Sequence, residues 1–164
     1  MENEKELLKI KRKFSPKYIL TGKMIEPYLV FLLLIIVCFS SKRILYGIII
    51  ILLFVLFTFV KLVFEKRKSN QTYMKFFNDR IEYKGKVLFR NQERVLKYDE
   101  IKDITFTQGI TFLEKRFQKA FGFGNIYVYP KKGNILTKGM QIELVENINE
   151  KIEEIKSIVG DKIR

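Results

Sequence analysis

Hydrophobic and polar residues are segregated along this chain. Two apolar runs without a single charge, residues 28–39 (YLVFLLLIIVCF) and 44–60 (ILYGIIIILLFVLFTFV), lie only four residues apart. A helix needs about 20 mostly apolar residues to cross the hydrocarbon core of a bilayer. Extended through Lys61 to Phe64, the second run reaches that length. The first, taken over residues 24–41, is shorter and carries Glu26 and Pro27 in its first turn, where a proline is tolerated because its missing N–H would be unpaired anyway. The connection Ser40-Ser41-Lys42-Arg43 is so short that the two helices must be antiparallel neighbours. The pattern predicts a two-helix transmembrane hairpin over residues 24–64. A cleaved signal peptide fits poorly, because a second and longer apolar stretch follows at once. Hiding both runs inside a soluble core would need a larger domain than the remaining chain supplies. A re-entrant first segment stays open, given its length.

After the hairpin, a short basic link (65–70) leads to residues 71–164, where the period falls to two. Ile81 and Tyr83, then Val87 and Phe89, alternate around Tyr83-Lys84-Gly85-Lys86, which predicts a β-hairpin turning there. Further short strands are predicted around 95–98, 101–106, 126–129, 135–137 and 141–145, about seven antiparallel strands in all. The period then changes to 3.6: Ile148, Ile152, Ile155, Ile158 and Val159 mark one face of a C-terminal helix. Asn147 is placed to cap it with Glu150 reaching back, and Gly160 to end it. One other helix is predicted over 111–121 (TFLEKRFQKAF). Phe112, Leu113, Phe117, Ala120 and Phe121 share one side of it, while Lys115, Arg116 and Lys119 point elsewhere. Two readings of that segment compete: phenylalanines that seal the core beneath solvated bases, or a basic, aromatic surface facing headgroups or a partner. The N-terminal segment 1–23 mixes Leu7, Leu8, Ile10 and Phe14 with many lysines, as either an amphipathic surface helix or a loosely ordered basic arm.

Charge sharpens this picture. The formal net charge is +13, concentrated in residues 66–138, which carry seventeen Lys/Arg against seven acids. A basic region next to a membrane segment suits an anionic lipid surface. Lys/Arg flank the hairpin at both outer ends more heavily than at its turn, which holds only Lys42 and Arg43. Both termini are therefore expected in the cytoplasm of a multi-pass cell-membrane protein. The single cysteine, Cys38, lies within the first apolar run, and there is no histidine. Without histidine the commonest metal ligand and general base are absent. The Asp99, Glu100 and Asp103 carboxylates cluster beside lysines, with nothing to place them in a cleft. Gly122-Phe123-Gly124 lacks the third glycine of a dinucleotide loop and leads into a strand, so it reads as a tight helix-to-strand turn. No catalytic residue, cofactor or metal site is expected, and no nucleic-acid motif appears.

The run Ile101-Lys102-Asp103-Ile104-Thr105-Phe106-Thr107-Gln108-Gly109, the aromatic and basic helix after it, and Phe121-Gly122-Phe123-Gly124-Asn125-Ile126-Tyr127-Val128 carry a resemblance. Together with the paired apolar runs, over about residues 20–160, they resemble the bacterial pleckstrin-homology-like (PH-like) family of membrane-flanked domains. The resemblance implies a PH-like domain, seven strands and a C-terminal helix, with no enzymatic activity or ligand that carries over. The expected function is a membrane-anchored, non-catalytic binding module. It would present a basic surface (Lys115, Arg116, Lys119 and Phe112) to anionic lipid headgroups or a membrane protein partner. The alternative is a small accessory subunit of a larger transport or secretion complex, acting through its hairpin. Only Thr58 and Cys38 lie deep as polar groups in the spans, and this favours the first reading.

Overall fold

The computed structural model describes residues 5–87, 90–109, 112–133 and 138–160. It divides into two compact units, Ser15–Arg67 and a second built from Met1–Phe14 with Lys68–Arg164.

In the Ser15–Arg67 unit, a short helix α1 (Pro16–Tyr18) runs on through a π-helical turn (Ile19–Lys23), then α2 (Ile25–Ser40) and α3 (Ile44–Gln71) follow. The α2 and α3 helices lie antiparallel: Tyr28 and Phe31 both meet Phe54, at 5.0 and 4.9 Å between ring centroids. The turn is closed by Lys42 at φ 55, with Ser41 N–H donating to Val37 O and Arg43 N–H to Cys38 O, so the last carbonyls of α2 are satisfied. One helix, α3, is long and apolar enough to cross a membrane, and only 6% of its most apolar window is buried. The core helix of a soluble protein would be mostly covered.

The first apolar run departs from expectation. At 16 residues, α2 reaches only about 24 Å, short of the ~30 Å hydrocarbon core. It reaches span length only if joined to Pro16–Lys23, from which it is bent by 61°. The expected link over 65–70 is not a separate segment either, because α3 continues as helix to Gln71. Glu, Lys and Arg propagate a helix well, so the end of the apolar run does not end the helix.

The other unit holds seven antiparallel strands among the described residues, in two sheets of order β1-β2-β3-β4 and β5-β6-β7. Their spans are β1 Leu8–Lys11, β2 Tyr73–Phe76, β3 Arg80–Val87, β4 Arg90–Lys97, β5 Ile101–Thr107, β6 Phe123–Pro130 and β7 Met140–Glu146. The number agrees with expectation, but the membership does not. The N-terminal segment is neither a surface helix nor a loose arm: Leu8–Lys11 pairs with β2, placing Ile10 opposite Met74. The globular unit therefore does not begin at residue 71, and residues 1–23 are not one segment. Lys13 N–H donates to Leu144 O, so this N-terminal strand also bridges to β7. Arg12 and Lys68 converge on the Glu143 carboxylate at 3.8 and 3.5 Å, and Ser69 Oγ donates to Arg12 O.

The turn predicted at 83–86 lies inside β3. Tyr83 and Gly85 occupy the same buried face, and a Cβ on residue 85 would run into the Tyr83 phenol. That glycine serves close packing within a strand. Phe89 and the strand predicted at 135–137 lie outside the described residues. The core gathers Ile10, Met74, Phe76, Ile81, Ile101 and Ile126 with α5 (Ile148–Val159) laid against it. Ile148, Ile155 and Val159 are buried as the period predicts, while Ile152 and Ile158 are half-buried. Asn147 stands at the helix start in the left-handed region (φ 52) without capping it through its side chain. Its amide donates instead to Glu150, at 3.2 Å.

Candidate functional site

The segment between β5 and β6 folds as helix α4 (Phe112–Ala120); the expected first residue, Thr111, lies outside the described residues. Its apolar side is only partly covered: Phe112 is 77% exposed and Leu113 38% exposed, while Phe117 and Phe121 are half-buried. The buried residue of this helix is polar. Gln118, fully enclosed, donates from Nε2 to Asn125 Oδ1 at 3.4 Å and to Glu114 at 3.4 Å. Asn125 is itself buried, and the same Oδ1 accepts the Leu144 N–H at 3.2 Å. Leu144 has φ 55, and the β6–β7 register shifts by one residue here, so the ladder offers its amide no partner. The asparagine side chain supplies one and ties helix, bulge and strand together.

The glycines around it fit this arrangement. Gly122 turns the chain from α4 into β6 at φ 68, as predicted, and at Gly124 a Cβ would collide with the Ile148 side chain. That close approach seats α5 against β6.

Between α4, the end of β5 and α5 lies an open groove of about 1170 Å³. Lys115, Arg116, Lys119 and Phe112, the four residues expected from sequence, all line it. Phe106, Tyr127, Ile148 and Ile152 contribute, with Tyr129, to its apolar surface. None of these could be assigned to a site from the chain alone, because β5, β6 and α5 meet only after folding. No carboxylate is among the described residues that line the groove. All three cations are exposed, and among the described residues none makes an ion pair. Tyr127 has its phenol pushed above the ordinary tyrosine range by burial, with a hydrogen bond from Thr107 opposing that shift. It is a neutral hydroxyl at physiological pH, and its oxygen accepts from Gln141 Nε2 at 3.4 Å.

No family model, curated protein or solved structure matches this chain. The site must be read from its own chemistry. Three cations without an ion pair among the described residues, an exposed aromatic ring and an apolar floor on which no described carboxylate lies favour anionic ligands with some apolar surface. Among the described residues no three His, Cys, Asp or Glu side chains gather in a metal-binding group.

Proposed function

We propose that this protein is a membrane-anchored, non-catalytic binding module whose PH-like unit presents the α4 groove to an anionic partner at the inner membrane surface. The observation that carries the reading is the α4 wall itself. Lys115, Arg116 and Lys119 make no ion pair among the described residues and stand beside an exposed phenylalanine. Elsewhere in the same unit Lys84 is paired with Glu93 and Lys75 with Glu6. A non-catalytic role is supported by the absence of histidine. Seven strands in two sheets with a C-terminal helix support the PH-like reading.

Anchoring through two crossings is supported by a topological argument. β1 precedes the apolar helices and β2 follows them, yet the two are hydrogen-bonded neighbours. Residues 8–11 and 73–76 must then lie in one compartment, so the chain between them crosses the bilayer an even number of times. If α3 crosses, the bent Pro16–Ser40 segment must return the chain. The excess of Lys/Arg in the flanks supports the cytoplasm as that shared compartment.

The experiment is photocrosslinking in native membranes from a benzoylphenylalanine placed at Phe112. The expected result is a discrete adduct, lipid or protein, that is lost when Lys115, Arg116 and Lys119 are all replaced by Gln. No adduct, or one indifferent to the three charges, overturns the reading.

A further inference from the structure

We propose that the α4 groove takes an anionic amphiphile, its phosphate held by Lys115, Arg116 and Lys119 and its hydrocarbon laid against Phe106, Phe112 and Ile152. This inference rests on the binding-module reading and names the ligand class of the same site. The argument is the polarity of the groove. All three of its cations come from one wall, α4, and that wall ends in an exposed phenyl ring. The lining from α5 offers Ile148 and Ile152, and that from β5 and β6 offers Phe106, Tyr127 and Tyr129. A ligand that matches carries charge at one end and hydrocarbon at the other. A bare phosphate would fill a small part of about 1170 Å³ and leave the apolar lining wet, since ordinary small-molecule sites run from about 300 to 1,000 Å³. An acidic peptide would want polar groups along its whole length; Thr107, Gln108 and the tyrosines supply them at the β5 and β6 side, but α5 supplies only Asn149. The absence of any lining carboxylate among the described residues completes the charge match. It leaves nothing to repel the headgroup.

The test uses the full chain in phosphatidylcholine nanodiscs, with isoleucine methyl groups labelled for NMR. Dihexanoyl phosphatidate, soluble in water, is titrated in; inorganic phosphate, dihexanoyl phosphatidylcholine and a soluble aspartate-rich peptide are the comparisons. The expected result is a saturable shift of the Ile152 methyl with phosphatidate alone. Replacing Lys115, Arg116 and Lys119 with Gln should weaken it about tenfold or more. Phe112→Ala, at an exposed position, should weaken phosphatidate binding while the Ile126 and Ile142 core methyls stay put. Equal shifts with phosphate would mean a bare anion site, and equal shifts with phosphatidylcholine would mean no charge recognition. Either overturns the proposal, as does silence with every ligand. A shift with the peptide but not with phosphatidate also overturns it, yet leaves the binding module standing. The module reading falls only with the Phe112 crosslink.

Discussion

At the residue scale the fold depends on a few polar groups in apolar surroundings. Asn125 is the clearest, since one oxygen serves both the Leu144 amide at the β7 bulge and the Gln118 amide from α4. Replacing a buried acceptor leaves donors without partners, at roughly 1–3 kcal/mol. Asn125→Ala is therefore expected to lower the unfolding free energy of the full chain, read from urea titration, by that amount, while Asn149→Ala, on the exposed face of α5, should leave it unchanged. Tyr98 provides a pH-dependent case. Its hydroxyl donates to Phe77 O at 2.8 Å, and burial, helped by the Asp79 carboxylate, pushes its pKa up to about 12. The unfolded phenol titrates near 10, so the folded state holds the proton longer. The contribution is complete below pH 10 and disappears as pH rises toward 12. The loss is on the order of 1–3 kcal/mol. Melting temperatures should fall more steeply over that window in the wild type than in Tyr98→Phe. Parallel slopes would show that the phenol is not held in this way.

Among the elements, β1 is the one that ties the N-terminal segment into the sheet. Ile10 is 2% exposed within the core, and Lys9, its neighbour, points the other way with its ammonium 5.0 Å from the Tyr73 ring. Ile10→Ala is expected to cost about 2–5 kcal/mol by cavity formation. Lys9→Ala should cost well under 1 kcal/mol, since an exposed cation over a ring is worth about that or less. Protease resistance of residues 68–160 would report both. If the two substitutions behave alike, the strand is not seated as described. The period-two signal for β1 is present in the chain, as Leu8 and Ile10 alternate with Lys9 and Lys11. It is masked because four residues are too few to stand out beside a basic run, and because the partner strand lies beyond the whole hairpin. β2 escapes notice for the same reason. The helix α5 is legible since five apolar positions repeat over twelve residues and no distant partner is needed to define its face. In α4 the apolar residues share a side, but the sequence does not say whether that side meets the core. Only the seat of Gln118 on Asn125 decides it.

For the whole molecule, the insertion of an apolar helix pair between two neighbouring strands makes folding of the globular unit and placement of the helices one problem. The β1–β2 pairing brings together residues more than 60 positions apart, as in Leu8 with Phe76 and Ile10 with Met74. A sheet of this kind closes only when both ends of the helical insertion return to the same side. This makes topology testable by labelling. With Cys38 replaced by Ser, single cysteines placed at Ser41 and at Ser157 are expected to react with an impermeant maleimide from opposite sides of sealed vesicles. Reaction of both from the same side would mean that the α2–α3 turn does not cross.

The sequence by itself determined what depends on local pattern. It placed a span-length apolar helix, an antiparallel partner forced by a four-residue connection, alternating strands, an amphipathic closing helix and a basic, aromatic segment at 112–119. Each of these is encoded within one window by periodicity or run length. Tertiary structure alone decided that the first strand belongs to the last domain, that Gly85 packs under Tyr83 without turning the chain, and that Phe112 stays outside while Gln118 goes in. It also brought Ile148 and Ile152 into one groove with the three cations of α4. Apart from the Gly85–Tyr83 contact, which lies within one strand, the physical reason is shared. Strand pairing and side-chain packing join residues far apart in the chain, and their free energy depends on the partner found, which no local window contains.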